Sequence, residues 1–437
     1  MQMFKVSGCA SMVRAAVFAL LGILVSACAT DQHYWAPPLD AVRIQESRSA
    51  NCVDNEILLA GRDALAVVEQ TRRDPDNAIE KIFAEMTVSA VIGEIAYCDS
   101  MEGEEEEKIQ AALSDFGALS YNAAYLRPRF SSLTTFPSVY LLSKPSSHRI
   151  IVYFPGVDAA AGPGDLLQSL KAGAAEDQPV AGQPYIPRGH GGFREGIANL
   201  INDGFFLQAK SLAELEEECS QSAKSDRAPD RKTVSLAGFI CTYDVADPTR
   251  SDPIELVVAG HSLGAGVAQS ALGAFNGMTW IREPAGGWAV AAPERNWPFR
   301  VRAAYLYSPP LALYPRDEGC NRVSGGAVNP IDVYTVHGLT DLTYSIIKEG
   351  DPVPNLWRPG GPSINCVEGN HFGKMVSIPR GEEPDIAART PVTIKWDNPF
   401  PHRLQSYRKA LANALRRTQD DRPGAKDEKI SEPMGGY

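Results

Sequence analysis

Basic residues are too few in this sequence for a surface that binds nucleic acid. The chain has 42 lysines and arginines against 53 aspartates and glutamates, and its formal net charge is -11. Phosphate backbones are bound by basic surfaces, so this balance excludes nucleic acid as a partner. An acidic chain also gains no electrostatic attraction to anionic lipid.

Metal-ligand motifs are missing as well. The sequence has no C-x-x-C pair and no cluster among its seven histidines, although such patterns are typical of structural metal sites. We therefore expect neither a metal nor another cofactor. The 437 residues are 44% apolar and 22% charged, so the chain can bury a sizeable core, and we expect one large domain with additions.

The N-terminus has the layout of a secretory signal. Two basic residues precede an apolar run over residues 15–25, which is too short to span a bilayer comfortably, and small residues follow it. Residues 25–28, Val-Ser-Ala-Cys, resemble the bacterial lipobox, which implies a signal peptide over residues 1–27 and a lipidated Cys28. The alternative is an ordinary signal peptide with a chance cysteine. Ala29 is not the aspartate that often retains lipoproteins at the inner membrane, so the resemblance implies a bacterial envelope protein, with the outer membrane favoured.

Six cysteines remain for disulfides once Cys9, in the signal, and Cys28, at the anchor, are set aside from the eight in the chain. An even number in an exported protein favours disulfides. The sequence does not fix the pairing. The simplest of the possible pairings is consecutive: Cys52 with Cys98, Cys219 with Cys241 and Cys320 with Cys366.

Hydrophobic periodicity divides the rest of the chain into segments. It predicts a tether over residues 28–53, a domain over 54–417 whose first part, 54–126, is helical, and a disordered tail over 418–437. Strand-like apolar runs alternate with helical or loop segments, at residues 138–142, 149–154, 254–259, 302–307, 333–336 and 344–347. This alternation predicts an α/β fold with a mostly parallel sheet flanked by helices and an N-terminal helical layer beside it.

Ser262 lies in a G-x-S-x-G motif, whose small flanking residues permit a strained turn that exposes the serine oxygen. The motif is short, so its context decides its meaning. A buried-type strand over residues 254–259 ends at the motif, and a helix rich in small residues begins at Ala265. A helix N-terminus beneath the serine favours developing negative charge. This context predicts a nucleophile rather than an ordinary loop serine.

Several short segments, in their order along residues 138–415, resemble the class 3 lipases, which include fungal triacylglycerol lipases and related phospholipases and diacylglycerol lipases. The similar segments are 150–157 (IIVYFPGV) for a strand ending in F-R-G-T, 190–193 (HGGF) for H-x-G-F, 260–264 (GHSLG) for the elbow, 351–354 (DPVP) for D-x-V-P, 371–373 (HFG) for a non-catalytic H-x-G, and 402–407 (HRLQSY) for H-x-x-x-Y. The last tyrosine falls one residue later than in the family. The resemblance implies an α/β-hydrolase fold with a triad of Ser262, Asp351 and His402.

The acid and then the base follow the serine along the chain in α/β-hydrolases. Asp351 follows a strand-like run and precedes two prolines that would fix its loop, so it is the candidate acid, with Asp341 as the alternative. Both His371 and His402 come after Asp351. The resemblance assigns His371 to a structural turn and His402 to the catalytic segment. His402 is therefore the expected base, and His371 is the alternative.

The oxyanion of a tetrahedral intermediate needs two backbone N–H donors. Leu263, directly after the serine, is expected to supply one, and the loop around Val157 the other. Val157 and Pro155 stand where the family has a hydroxyl residue and an arginine, so a side-chain donor is lost. The Gly, Ala and Pro-rich residues 158–189 occupy the place of the family's lid, and their pattern does not separate a lid from a surface loop.

These features predict a serine carboxylic-ester hydrolase, a lipase or esterase and by resemblance a phospholipase, that acts on acyl lipids through an acyl-enzyme. Two alternatives use the same fold. One is acyl transfer or thioester cleavage by the same triad, and the other is a non-catalytic envelope lipoprotein. The expected partners are an acyl-ester substrate and the membrane that holds the lipid anchor. The sequence indicates no oligomeric state.

Overall fold

A sheet with helices on both faces is the architecture of the computed structural model. It describes residues 55–71, 78–96, 122–126, 139–143, 147–156, 174–175, 179–202, 205–206, 211–224, 235–243, 245, 251–310, 312–313, 328–349, 351, 353–355, 373–378 and 404–420. These residues fall within one compact unit. Of the helices they form, none combines the length and the apolar character needed to cross a membrane.

Helices and strands alternate along the described residues. The helices are α1 Asn55–Thr71, α2 Ala78–Ala96, α3 Gly191–Asn202, α4 Leu212–Lys224, α5 Leu236–Tyr243, α6 Leu263–Phe275, α7 Pro330–Val336, α8 Leu339–Leu342 and α9 Leu404–Asp420. The strands are β1 Asn122–Leu126, β2 Val139–Ser143, β3 Arg149–Phe154, β4 Ala174–Ala175, β5 Gly189–His190, β6 Ile254–His261, β7 Thr279–Arg282, β8 Trp288–Ala291, β9 Phe299–Tyr307, β10 Thr343–Lys348 and β11 Lys374–Ile378.

The main sheet has the strand order β1-β2-β3-β6-β9-β10-β11. Strands β3, β6, β9, β10 and β11 are parallel to their neighbours in that run. At the other edge β1 pairs antiparallel with β2, and β2 pairs antiparallel with β3. The predicted mostly parallel sheet flanked by helices is confirmed.

The parallel strands stand side by side in chain order, and this order determines where their connecting helices lie. Crossovers between parallel strands are right-handed in nearly all proteins, so connections that always step in one direction fall on one face of the sheet. The core on that face joins strand residues Val152 and Val258 to Phe193 of α3, Phe239 of α5 and Leu272 of α6. One face of the sheet is thus covered by the crossovers themselves.

The opposite face is covered by helices from the two ends of the described chain. Helices α1, α2 and α9 bury a second core against the sheet residues Tyr153, Tyr305 and Tyr307. Helix α2 is buried along nearly all of residues 83–96, because α1 and α9 cover the sides that do not touch the sheet. The predicted N-terminal helical layer beside the sheet is confirmed.

Glu85 fixes the first half of α2 on the sheet. The Tyr305 hydroxyl donates to Glu85 Oε2 at 2.6 Å, and Arg302 Nη2 lies 3.0 Å from Glu85 Oε1. Burial, followed by the Glu85 charge, holds the pKa of Tyr305 well above its ordinary value, so this hydroxyl stays protonated and donates.

Two predicted boundaries and one predicted strand are wrong. Residues 122–126 are not the end of a helical part but strand β1, because pairing with β2 outweighs local propensity. Residues 333–336 are helical rather than a strand: the Asn329 side chain accepts from the Ile331 N–H at 3.0 Å and Pro330 stands at the first turn, so helix-start signals outweigh the β-branched run. Helix α9 continues to Asp420, past the predicted start of the tail at 418.

One predicted disulfide is present. Cys219 and Cys241 are bonded and join α4 to α5, as the consecutive pairing predicts. The other two predicted pairs, together with Cys28 and the signal segment, lie outside the described residues.

Candidate active site

Ser262 occupies the turn between β6 and α6. Its backbone has φ 57° and ψ -129°, a left-handed conformation that a non-glycine residue adopts only when the surrounding structure enforces it. The Ser262 N–H donates to the carbonyl of Tyr307 at 2.9 Å, which ties the turn to the end of β9. The serine is partly exposed while the residues on both sides of it are buried. The strained turn between a buried strand and a helix, which the sequence predicts at this serine, is therefore present.

The two glycines of the motif are required by close backbone approaches. A Cβ atom at Gly260 would overlap the backbone of Gly264, and one at Gly264 would overlap the carbonyl oxygens of Phe154 and Pro155. The end of β3 therefore lies directly against the first turn of α6. Leu263 is the first residue of α6, where backbone N–H groups have no partner within the helix.

Asp351 lies just beyond the carboxyl end of β10, which is separated from β6 by β9 alone. The Asp351 N–H donates to the Lys348 carbonyl at 3.1 Å, so the chain turns as soon as the strand ends. The side chain is 1% exposed. Parallel strands have their carboxyl ends at the same end of the sheet. Asp351 and Ser262 therefore both lie at that end, where ligands bind in open α/β folds.

The Asp351 carboxylate accepts hydrogen bonds from two described donors. Tyr407 Oη of α9 lies 2.5 Å from Oδ2, and the Val353 N–H lies 3.0 Å from Oδ1. Burial, then the charge and hydrogen bond of Asp351, hold the pKa of Tyr407 well above its ordinary value. Tyr407 is therefore neutral and donates, which stabilises the ionised carboxylate.

Tyr407 is held on several sides. Its hydroxyl accepts from the Lys348 N–H at 3.2 Å and is also hydrogen-bonded to the Ser308 side chain. Its ring packs edge-on against Tyr307, with centroids 6.1 Å apart, and against His261 at 6.3 Å. Tyr407 thus connects the ends of three adjacent strands, β6, β9 and β10.

Sequence reasoning missed Ser308 and the role of Tyr407. The resemblance included Tyr407 only as a displaced match, and nothing local indicates that its hydroxyl reaches residue 351. Ser308 follows β9, with φ 48° and its N–H donating to the Ile346 carbonyl at 2.8 Å. A polar residue directly after a buried strand beside the elbow strand was the available signal.

The remaining predicted site residues fall in two groups. Asp341, the alternative acid, is exposed on α8 before β10 begins, at the opposite end of that strand from Asp351. The expected base His402, the alternative base His371 and the expected oxyanion donor Val157 lie outside the described residues.

Part of the predicted lid-or-loop segment is fixed to the body of the domain. The Gly182 N–H donates to the Trp280 carbonyl and the Tyr185 N–H to the Met278 carbonyl, both at 2.8 Å. Tyr185 is fully buried, and its ring packs edge-on against Trp280 with centroids 4.9 Å apart. Residues 182–185 are therefore held against β7 by backbone hydrogen bonds and by an isolated bridge between Pro184 and Thr279.

The arrangement has the parts of a nucleophilic site. It places a serine at a strained strand-to-helix turn, helix N–H groups beneath it, and a buried, hydrogen-bonded carboxylate two strands away. A histidine between the two would complete a triad, because such a base needs the carboxylate on its other nitrogen.

No protein-family model and no curated protein matches the sequence. Solved structures that match include a lipase from Rhizopus microsporus var. chinensis, 14% identical, with a TM-score of 0.37, covering 73% of this chain and 83% of that chain. A Rhizomucor miehei lipase propeptide complex is 14% identical, with a TM-score of 0.40 and coverage of 75% and 77%. A triacylglycerol lipase from Penicillium expansum is 12% identical, with a TM-score of 0.29 and coverage of 57% and 67%. The chain is thus similar to fungal lipases at low identity.

Proposed function

We propose that this protein hydrolyses carboxylic esters through Ser262, with Asp351 as the acid of the triad and His402 as its base. The observation that carries the proposal is the strained backbone of Ser262, φ 57°, at the start of α6, on the same sheet edge as the buried Asp351. Strain of this kind persists where it serves a function. The segment order along the chain, which resembles that of class 3 lipases, supports an acyl-ester substrate.

The positions of neighbouring described residues support His402 as the base. His402 precedes the start of α9 by two residues, and Tyr407 in the first turns of that helix donates to Asp351. His371 precedes Gly373 by two residues, and Gly373 lies against Thr343 at the start of β10. Strand β10 spans roughly 16 Å at 3.3 Å per residue, and Asp351 lies beyond its far end. Gly373, the described residue that follows His371 two positions later, thus lies at the opposite end of β10 from Asp351, and this supports His402 over His371.

The backbone near Ser262 supports the expected oxyanion hole. The N–H of Leu263 opens α6 and follows the nucleophile directly. Pro155 directly follows β3 and lies against Gly264, and Val157 comes two residues after Pro155 in the chain. The N–H of Val157 is therefore our candidate for the second donor. Neither donor needs a side chain, so Val157 can serve in place of a hydroxyl residue.

The reaction then follows in balanced steps. His402 takes the hydroxyl proton of Ser262 as its oxygen attacks the ester carbonyl, and the two N–H donors stabilise the oxyanion that forms. Collapse breaks the bond to the alcohol, which leaves with the proton from His402, and an acyl-enzyme remains. Water repeats the sequence, which releases the acid and restores the serine. Transfer to another alcohol would differ only in this second half.

Labelling with a fluorophosphonate tests the proposal, because only an activated serine reacts quickly. The wild-type protein should label at Ser262 and hydrolyse short p-nitrophenyl esters, whereas Ser262→Ala should do neither. Asp351→Asn should fold and lose on the order of 10⁴-fold in kcat. A folded wild-type protein that neither labels nor hydrolyses any ester of a panel of glycerides and phospholipids would be the non-catalytic lipoprotein instead.

We further propose that the protein is a lipoprotein anchored through Cys28 in a bacterial envelope. The basic flank, the short apolar run and the Val-Ser-Ala-Cys segment support this location. An anchor with two or more acyl chains would hold the enzyme at a lipid surface durably. Mass spectrometry of the mature N-terminus should find an acylated cysteine, and Cys28→Ala should abolish the modification. An unmodified N-terminus on the native protein would exclude the anchor.

A further inference from the structure

Helix α2, in the N-terminal helical layer, touches α9 at two consecutive residues. Gly93 lies so close to α9 and the sheet that a Cβ atom there would overlap Leu404 Cδ2 and Tyr153 Oη. Glu94, the next residue, accepts from Arg408 Nε at 2.7 Å. Leu404 and Arg408 are four residues apart, so they lie on the same face of α9. Gly93 and Glu94 therefore contact that face of α9 at two points, Leu404 and Arg408, which are one helical turn apart.

The Glu94–Arg408 ion pair is enclosed by protein. Arg408 is 1% exposed and Glu94 9% exposed. A second carboxylate, Glu56 of α1, lies 3.5 Å from Arg408 Nη1, but its side chain is 57% exposed, so it contributes little. Replacing a buried ion pair by apolar residues is often neutral or stabilising, whereas its directional geometry is well suited to fixing register. A contribution to folding stability therefore does not explain why a buried ion pair stands at this position.

Both α9 residues of the contact are close in sequence to residues of the proposed site. Arg408 directly follows Tyr407, whose hydroxyl donates to Asp351, and Leu404 comes two residues after His402. A turn or slide of α9 would move the acid's donor and the segment of the base together. Glu94 and Gly93 are the points of α2 that oppose such a movement.

We propose that Gly93 and Glu94 are positioning residues of the active site, which set the register of α9 and thereby the geometry of Asp351 and its base. This inference rests on the proposed function for its kinetic consequences. It makes the N-terminal helical layer a working part of the site.

The test compares changes at two points along α2, Glu94 near its carboxyl end and Glu85 in its first half. The double variant Glu94→Leu/Arg408→Met removes both buried charges, so neither partner is stranded. Glu94→Gln weakens the contact to Arg408 by removing the charge, and it is the second variant if the double variant does not fold. The matched control is Tyr305→Phe, which removes a hydrogen bond between the same helix and the sheet at Glu85, toward the other end of α2.

We expect kcat to fall about 10- to 100-fold in the Glu94 variants, the scale for a misplacement on the order of 1 Å, with KM nearly unchanged. The acid limb of the pH–rate profile should move to higher pH. An Asp351 carboxylate that loses its Tyr407 donor binds the protonated base more tightly, which raises the pKa of the base. Tyr305→Phe should lower the melting temperature without changing kcat or the acid limb.

Wild-type kcat and an unshifted acid limb in the Glu94 variants would overturn the proposal, as would equal losses in Tyr305→Phe. A wild-type protein without esterase activity would contradict the proposed function instead. Amide hydrogen exchange would still test whether Glu94 fixes the register of α9. The Glu94 variants should speed exchange across Leu404–Asp420, and the control should not. Unchanged exchange there would overturn the register claim.

Discussion

Tyr407 donates a hydrogen bond of 2.5 Å to Asp351 across 56 residues of chain, and this bond joins helix α9 to the carboxyl end of β10. A second donor, the Val353 N–H, binds the other carboxylate oxygen. With its oxygens held in this way, the buried carboxylate has a fixed orientation, which is what an imidazole partner requires.

Tyr407→Phe should weaken catalysis because Asp351, the proposed acid of the triad, loses a hydrogen-bond donor. A hydrogen bond to a charged group is worth about 1.5–3 kcal/mol, so kcat/KM should fall by about 10- to 100-fold. The carboxylate then attracts the protonated base more strongly, the pKa of the base rises, and the acid limb of the kcat/KM profile moves to higher pH. A pH–rate profile of the folded variant that overlays the wild-type profile would contradict this role.

His402→Ala and His371→Ala should differ sharply. Removing the base of a triad costs several orders of magnitude in kcat, and a structural histidine far less. We expect the first variant to lose nearly all ester hydrolysis and the second to keep most of it, with circular dichroism confirming that both are folded. The reverse result would assign the base to His371.

Gly264→Ala should damage the elbow through the backbone. A methyl group there would overlap the carbonyl oxygens of Phe154 and Pro155, so β3 and α6 would have to separate. Overpacking of this kind costs about 1–3 kcal/mol of unfolding free energy. Denaturant titration should show that loss together with slow fluorophosphonate labelling. Ala265→Gly, at the next position of the same helix, is the control and should label normally.

Replacing Cys219 and Cys241 by serine should lower stability more than activity. The bond closes a loop of 22 residues between α4 and α5, and the chain-entropy model assigns about 3 kcal/mol to a loop of that length. Thermal unfolding should report the loss, and kcat should stay close to the wild-type value because neither helix supplies a site residue. Two reactive thiols in the unfolded, unreduced wild-type protein at these positions would contradict the bond.

The elbow and its strand could be predicted from the sequence because their signals are local. A buried run, a glycine-flanked serine and a helix of small residues follow one another within about twenty residues, and the structure has β6, Ser262 and α6 there. Asp351 was predicted in the same way, from the strand before it and the prolines after it. Residues 333–336 show the limit, since the capping of Asn329 decided against a strand that the β-branched residues favoured.

Contacts that join distant segments could not be predicted. Tyr407 to Asp351 and Arg408 to Glu94 span 56 and 314 residues, and nothing near either residue indicates its partner. The same holds for β1, whose five residues become a strand only because β2 is there to pair with them.

The chain-order arrangement of the parallel strands has a consequence for folding. The crossover helices cover their face of the sheet as each strand is added, but the tyrosine-rich face needs both α2, made early, and α9, made after every described strand. Until α9 docks, that face of the sheet is only partly covered. Asp351 acquires its tyrosine donor in the same late event. Under the proposed function, a chain that has already formed the turn at Ser262 is therefore inactive until α9 docks.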